Sequence, residues 1–153
     1  MRIEPAEASG DEAAGLLADY FAYLASTFPA GFDPDAGSTT SDPAEMSPPH
    51  GVFLVVREDD GTAVGCGGVK LLEDDRAEVK RMYLRPSTRG RGLGALLLDA
   101  LEKAARGLGA TEAVLDTNAT LEAALALYRR HGWREVSPYN DNPYATHWFA
   151  KEL

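Results

Sequence analysis

"AEVKRMYLRPSTRGRGLGALLLDALEKAA", residues 77–105, reads as a strand, a short connection, a glycine- and arginine-rich turn, and a leucine-rich helix. Arg89 and Arg91 alternate with Gly90, Gly92 and Gly94 at the mouth of that helix. A helix N-terminus presents unpaired backbone N–H groups and the positive end of its dipole, so it favours anions, phosphates above all. Glycine lets a large ligand approach the backbone where a Cβ would intrude, and arginine adds a charge-assisted hold on phosphate oxygens. The segment Arg89, Gly90, Arg91, Gly92, Leu93, Gly94, Ala95 therefore predicts a pyrophosphate cradle. The competing reading is a glycine-rich turn with two solvated arginines. The basic turn stands out because the chain is acidic, with 24 Asp and Glu against 15 Lys and Arg and a formal net charge of −9.

Outward from this stretch, hydrophobic periodicity sets the remaining elements. A short strand at Arg2–Pro5 precedes a helix carrying Leu16, Leu17, Tyr20, Phe21 and Leu24, for which Ser9 and Glu12 offer a capping box. Residues 27–50 hold five of the nine prolines and read as a long loop that shapes a substrate entrance or lies on the surface. "GVFLVVRED", "TAVGCGGVKLL" and "AEVKRMYLRP" read as three strands joined by hairpin turns, so the middle of the chain is antiparallel. The helix after the glycine turn places Leu93, Leu96, Leu97, Leu101 and Leu108 on one face and ends at Gly107 and Gly109. "EAVLDT" is a short strand, "LEAALALYRRH" a helix stopped by Gly132, and "WREVS" and "ATHWFAKEL" close the chain as strands. The order β-α-β-β-β-α-β-α-β-β predicts a mixed α/β fold, a mostly antiparallel sheet flanked by helices, built as one domain over residues 1–153.

Phosphate cradles differ in kind. A Walker A loop requires a Lys-Ser or Lys-Thr pair after its glycines, and none is present. "GRGLGA", Gly90 to Ala95, satisfies the dinucleotide pattern G-x-G-x-x-A, and Asp116 ends the next strand where a ribose-binding acid would lie. That fingerprint belongs at the first turn of a parallel sheet, whereas this turn follows an antiparallel meander. A dinucleotide-dependent oxidoreductase is therefore set aside.

The same stretch closely resembles the cofactor-binding core of the GNAT family of N-acetyltransferases. The family's loop pattern [QR]-x-x-G-x-[GA] reads here Arg89-Gly90-Arg91-Gly92-Leu93-Gly94. "LDTNATLEAALALYRRHGWREV" is similar to the family's next strand, its asparagine and a helix ending in Tyr and Gly-aromatic. The resemblance implies acetyl-CoA as donor, with the strand before the loop splayed from its neighbour so that Met82, Tyr83 and Leu84 bond the pantetheine arm. It implies that the amides of the glycine turn take the pyrophosphate, that Asn118 contacts the arm, and that Tyr128 protonates the departing thiolate. A backbone N–H near Leu84 becomes the oxyanion donor.

Glu78, on the same strand, falls where some members carry a catalytic glutamate and becomes the candidate base; its plainer role is the polar face of a strand. Tyr128 has a plainer role too, packing its helix on the sheet. "SPYNDNPYATHWF", residues 137–149, falls where the family's acceptor site is flanked. Tyr139, Asn140, Tyr144 and His147 are the acceptor candidates, against an Asx-rich turn and sheet completion. The expectation is acetyl transfer to a primary amine of a small molecule or peptide by direct transfer in a ternary complex. A longer acyl-CoA and a non-catalytic acyl-CoA sensor are the alternatives.

Composition narrows the partners. A sequence pI near 4.7 argues against nucleic acid, and no apolar run has the length of a membrane span. The single cysteine, Cys66, excludes an internal disulfide, and three scattered histidines suggest no metal site. The chain reads as cytoplasmic, and a homodimer stays open.

Overall fold

A computed structural model describes residues 1–36 and 42–153. Residues 37–41 of the proline-rich segment lie outside the described residues. Among the described residues, seven strands and three α-helices follow in the expected order. They are β1 (Arg2–Pro5), α1 (Asp11–Thr27), β2 (Gly51–Arg57), β3 (Ala63–Leu71), β4 (Arg76–Leu84), α2 (Leu93–Gly107), β5 (Glu112–Thr117), α3 (Glu122–Arg130), β6 (Arg134–Val136) and β7 (His147–Glu152). One sheet runs in the order β1-β2-β3-β4-β5-β7-β6. All neighbours are antiparallel except β4 and β5.

Alternation along β2 divides the interior in two. Phe53 and Val55 face a cluster with Leu16 of α1, Met46, Cys66 and Tyr83. Leu54 and Val56 face the opposite cluster with Leu97 and Leu101 of α2, Leu125 and Tyr128 of α3, Trp133 and Phe149. Side chains of a strand point alternately to the two faces, so one apolar run serves both layers.

Two local readings are corrected. Gly10, not Ser9, is the N-cap of α1 and no side chain caps it. Glu12 instead accepts from the Arg57 guanidinium at 2.7 Å, which ties α1 to β2. On α2, Leu96 is 56% exposed, and the buried stripe is Leu93, Leu97, Leu98, Leu101 and Ala105. At about 100° per residue these five side chains span an arc of roughly 140° centred near Leu101, and Leu96 falls about 60° outside it. Glu102 is buried on that helix and pairs with Lys151 Nζ at 2.7 Å.

The sheet opens between β4 and β5. Pairing covers only Arg76 with Glu112, Ala77 with Ala113 and Glu78 with Val114. On its other edge β4 carries a bulge: Cys66 pairs with Tyr83 and Gly68 with Lys80, so Arg81 and Met82 stand opposite Gly67 alone. Arg81 adopts φ +56°, the left-handed region that side chains rarely enter. An extra residue bends its strand and increases the local twist, which turns β4 away from β5.

Close helix approach explains two glycines of β3. A Cβ at Gly67 would lie 2.7 Å from Leu101 Cδ1 of α2, and one at Gly68 would run into Met46 Sδ on the other face. Gly67→Val is expected to lower stability by about 1–3 kcal/mol by overpacking the α2 interface. Urea unfolding measures this as a lower midpoint at unchanged slope; an unchanged midpoint contradicts it.

Candidate active site

A cavity of about 480 Å³ occupies the gap between the splayed strands. Its lining joins Met82, Tyr83 and Leu84 of β4 to the glycine turn at Gly90 and Gly92 and to Tyr128 of α3. Arg85 N–H donates to Val64 C=O at 2.9 Å. Antiparallel pairs alternate between bonded and open, so the N–H and C=O of Leu84 face away from β3, towards the opening. The Leu84 carbonyl is met there by Arg89 Nε at 3.2 Å.

The turn has the geometry that the residues demand. Gly90 has φ +79° and Gly92, the N-cap of α2, has φ +75°. No side chain caps α2, which leaves the first-turn amides of Leu93, Gly94 and Ala95 without a capping side chain at the cavity. Gly94 differs in kind: a Cβ there would come 3.3 Å from Leu127 Cδ2, so it lets α2 pack close to α3. The two arginines part company. Arg89 lines the cavity with its guanidinium 4.6 Å from the Tyr23 ring. Arg91 turns to the far side and binds Glu58 through both terminal nitrogens, at 2.6 and 3.2 Å.

Glu78, the last position of β4 paired with β5, is only 6% exposed and lines the cavity. Burial removes the exposed-strand reading. Its carboxylate accepts from Tyr139 Oη at 2.6 Å and Asn140 Nδ2 at 3.4 Å, and Lys80 Nζ stands 3.5 Å away. Two residues beyond Val114, the β5 partner of Glu78, Asp116 accepts from Asn140 Nδ2 at 2.6 Å and from Asn142 Nδ2 at 3.0 Å. Burial raises the Asp116 carboxyl above the usual range, the Asn140 hydrogen bond opposes that, and the nearby Glu78 charge adds to it. Burial lowers the Lys80 ammonium, and Glu78 resists the fall. Asn140 also accepts from Trp148 Nε1 at 2.9 Å, so one amide joins β4, β5 and β7.

Tyr128 is buried against Trp133 and Phe149, and its hydroxyl contacts Met82 Sδ at 3.9 Å. Burial, reinforced by the Asp116 charge, raises its phenol and keeps it protonated. Asn118 lines the cavity, but its amide donates to Tyr144 C=O at 2.7 Å and its oxygen accepts from Thr120 N–H at 2.9 Å. Tyr144 also lines it, stacking near Phe28 and Phe32, and its hydroxyl accepts from Asp33 N–H at 2.8 Å. Tyr139 reaches Glu78 from outside the lining. His147 stays outside it too, bonded to Thr146 Oγ1 at 2.8 Å and stacked on Phe149.

A model described as the acetyltransferase (GNAT) family matches residues 17–133. The chain belongs to the GNAT acetyltransferase family. It is 33% identical over 130 residues to the IAA acetyltransferase of Azospirillum brasilense, covering 84% of this chain and 81% of that protein. It is 42% identical over 100 residues to an uncharacterized N-acetyltransferase of Schizosaccharomyces pombe, covering 65% of this chain and 61% of that one. The chain thus matches about three fifths of the yeast relative's length. A Klebsiella pneumoniae structure described as an acyl-CoA N-acyltransferase superposes with TM-score 0.78 at 30% identity, over 99% of this chain and 97% of that one. An N-acetyltransferase of Thermoplasma acidophilum in complex with coenzyme A superposes with TM-score 0.73 at 19% identity over the whole of both chains, a likeness of fold.

Within this GNAT protein, the residues that sequence reasoning missed are Asp116 as a cavity carboxylate, Lys80 and the rings of Phe28 and Phe32. Asp116 carried a signal, since an acid in the apolar strand "EAVLDT" has to have partners. Phe28 and Phe32 carried none beyond their place in the loop. Asn142→Ala removes a donor that favours the charged form of Asp116, so its carboxyl is expected to titrate at higher pH than in the parent. Carbon NMR of the side-chain carboxyl measures this; an unchanged or lower value contradicts it.

Proposed function

We propose that this protein transfers an acetyl group from acetyl-CoA to a primary amine by direct transfer. The observation that carries the reading is that one cavity joins an unpaired strand edge, an uncapped helix N-terminus at a glycine turn, and a buried tyrosine. The residues fit coenzyme A. An added Cβ at Gly90 or Gly92 would meet no protein atom within 4 Å, so backbone amides are open to a bulky anion there. From the bulge onward, Met82 to Leu84 offer β4 backbone that β5 does not pair, an edge for an amide-bearing arm. That the Thermoplasma fold relative is in complex with coenzyme A supports the same class of ligand.

Bound acetyl-CoA supplies an activated acyl group and a thiolate leaving group. On this reading the protein does the rest. Amides of Leu93, Gly94 and Ala95 hold the diphosphate, with Arg89 beside them. The Leu84 N–H donates to the acetyl oxygen, and Met82 and Tyr83 carry the arm. Glu78, directly or through water, takes the proton of the acceptor ammonium, and Tyr128 gives a proton to the departing sulfur. Asn118 serves by anchoring Tyr144, since its own polar atoms are engaged. Arg91 acts at a distance, fixing the turn to Glu58. An acetyl-cysteine relay is disfavoured because Cys66 is buried away from the cavity lining and burial pushes its thiol up to about 12.

Tyr128→Phe tests the assignment. Thiol detection of released coenzyme A is expected to show kcat reduced by about a hundredfold or more, with acetyl-CoA affinity by calorimetry little changed. Undiminished turnover makes Tyr128 a packing residue and overturns the acid role.

A further inference from the structure

We propose that the acceptor is an arylalkylamine, a single primary amine on an aromatic or bulky apolar body. It rests on the acetyl-transfer reading above and narrows its acceptor. The ring lies against Phe28, Phe32 and Tyr144, with the amine directed to Glu78 and Asp116.

Three observations lead there. The first is that the side-chain amides of Asn140 and Asn142 and the carbonyl of Tyr144 are already engaged within the protein. Asn140 donates to Asp116 and Glu78 and accepts from Trp148 and the Asn142 N–H. Asn142 donates to Asp116 and accepts from the Tyr144 N–H. The Tyr144 hydroxyl accepts from Asp33 and its carbonyl from Asn118. A hydroxyl-rich acceptor would displace these bonds to make its own, and an unpaired buried polar group is costly. An apolar body needs none of them.

The second is the wall itself. Phe32 packs on Tyr144 at 4.8 Å between centroids, Phe28 stacks on Tyr144 at 5.8 Å, and Phe21 stacks on Phe32 at 5.7 Å. These four rings line the cavity. Aromatic faces accept another ring or a bulky apolar group with both area burial and favourable geometry. The Asp33–Tyr144 hydrogen bond ties the segment after α1 to the β6–β7 connection, which closes this end around a small molecule.

Charge is the third. Although the chain is acidic, the ionisable lining is not. Glu78, Asp116 and Glu122 are its carboxylates. Lys80, Arg81, Arg89 and Arg130 are its cations, one more than the acids. Such a lining suits an anionic donor and one ammonium group held at the Glu78–Asp116 pair. It disfavours polyamines and aminoglycosides, whose further cations would face arginine and lysine.

The test uses the full chain with acetyl-CoA and thiol detection, comparing phenethylamine and tryptamine with spermidine, kanamycin and a lysine peptide. The arylalkylamines are expected to give kcat/KM at least about tenfold above the others. Phe32→Ala is expected to raise the phenethylamine KM about tenfold and leave the acetyl-CoA KM unchanged. A preference for a polycation or the peptide, no arylalkylamine turnover while acetyl-CoA binds by calorimetry, or an unchanged KM in Phe32→Ala overturns the acceptor class alone. Failure of acetyl-CoA to bind the parent overturns the donor reading and this inference together.

Discussion

Three paired positions between β4 and β5, and no more, are the constraint on which the rest of this structure depends. Each further pair would have satisfied backbone groups of both strands. The bulge at Arg81 and Met82 forgoes that, and a left-handed Arg81 backbone is part of its cost. What results is a gap with a peptide edge along one side, where the seven-stranded sheet would otherwise be continuous. Helix α2 closes one end with its uncapped first turn, and the β6–β7 connection closes the other. The α2 closure depends on two glycines. Gly92 supplies the left-handed turn, and Gly67 lets α2 lie close enough to aim it.

Electrostatics in the gap differ from those of the chain. A net charge of −9 is carried mostly outside, while the cavity gathers arginines and a lysine around two buried or half-buried carboxylates. Those carboxylates are not bare. Glu78 and Asp116 share the Asn140 amide, which Trp148 in turn orients. A fully bonded network of this kind fixes side chains at the price of desolvation, and the raised Asp116 carboxyl registers that cost. The same amides that resemble acceptor-binding groups in the sequence are thus committed to holding the carboxylates in place.

Most of the fold was legible because each element has a strong period and a clear stop. The sequence of elements along the chain, with its three helices and antiparallel middle, follows from "GVFLVV", the glycine punctuation and the leucine stripe. Leu96 was misplaced because five neighbouring leucines allow two stripes, and only the way α2 packs on the sheet, with Leu98 buried and Leu96 exposed, chooses between them. Ser9 was misread because the helix starts one residue later, where Arg57 claims Glu12. In the site, the glycine turn and Tyr128 were legible through local pattern. The Arg91–Glu58 pair and the Asn140–Asp116 bond join positions 33 and 24 residues apart, and no local signal records such pairings. The aromatic wall was illegible for the same reason, since Phe32 and Tyr144 meet only when two loops are brought together.

The central claim is that the split strand and the glycine turn together receive coenzyme A. Nitrogen–proton correlation NMR of the labelled protein, titrated with acetyl-CoA, tests it most directly. The account predicts that amide signals of Met82–Leu84 and Arg89–Ala95 move together and saturate, while those of β1 stay in place. A titration that moves none of them, or moves only a surface away from β4 and α2, contradicts it.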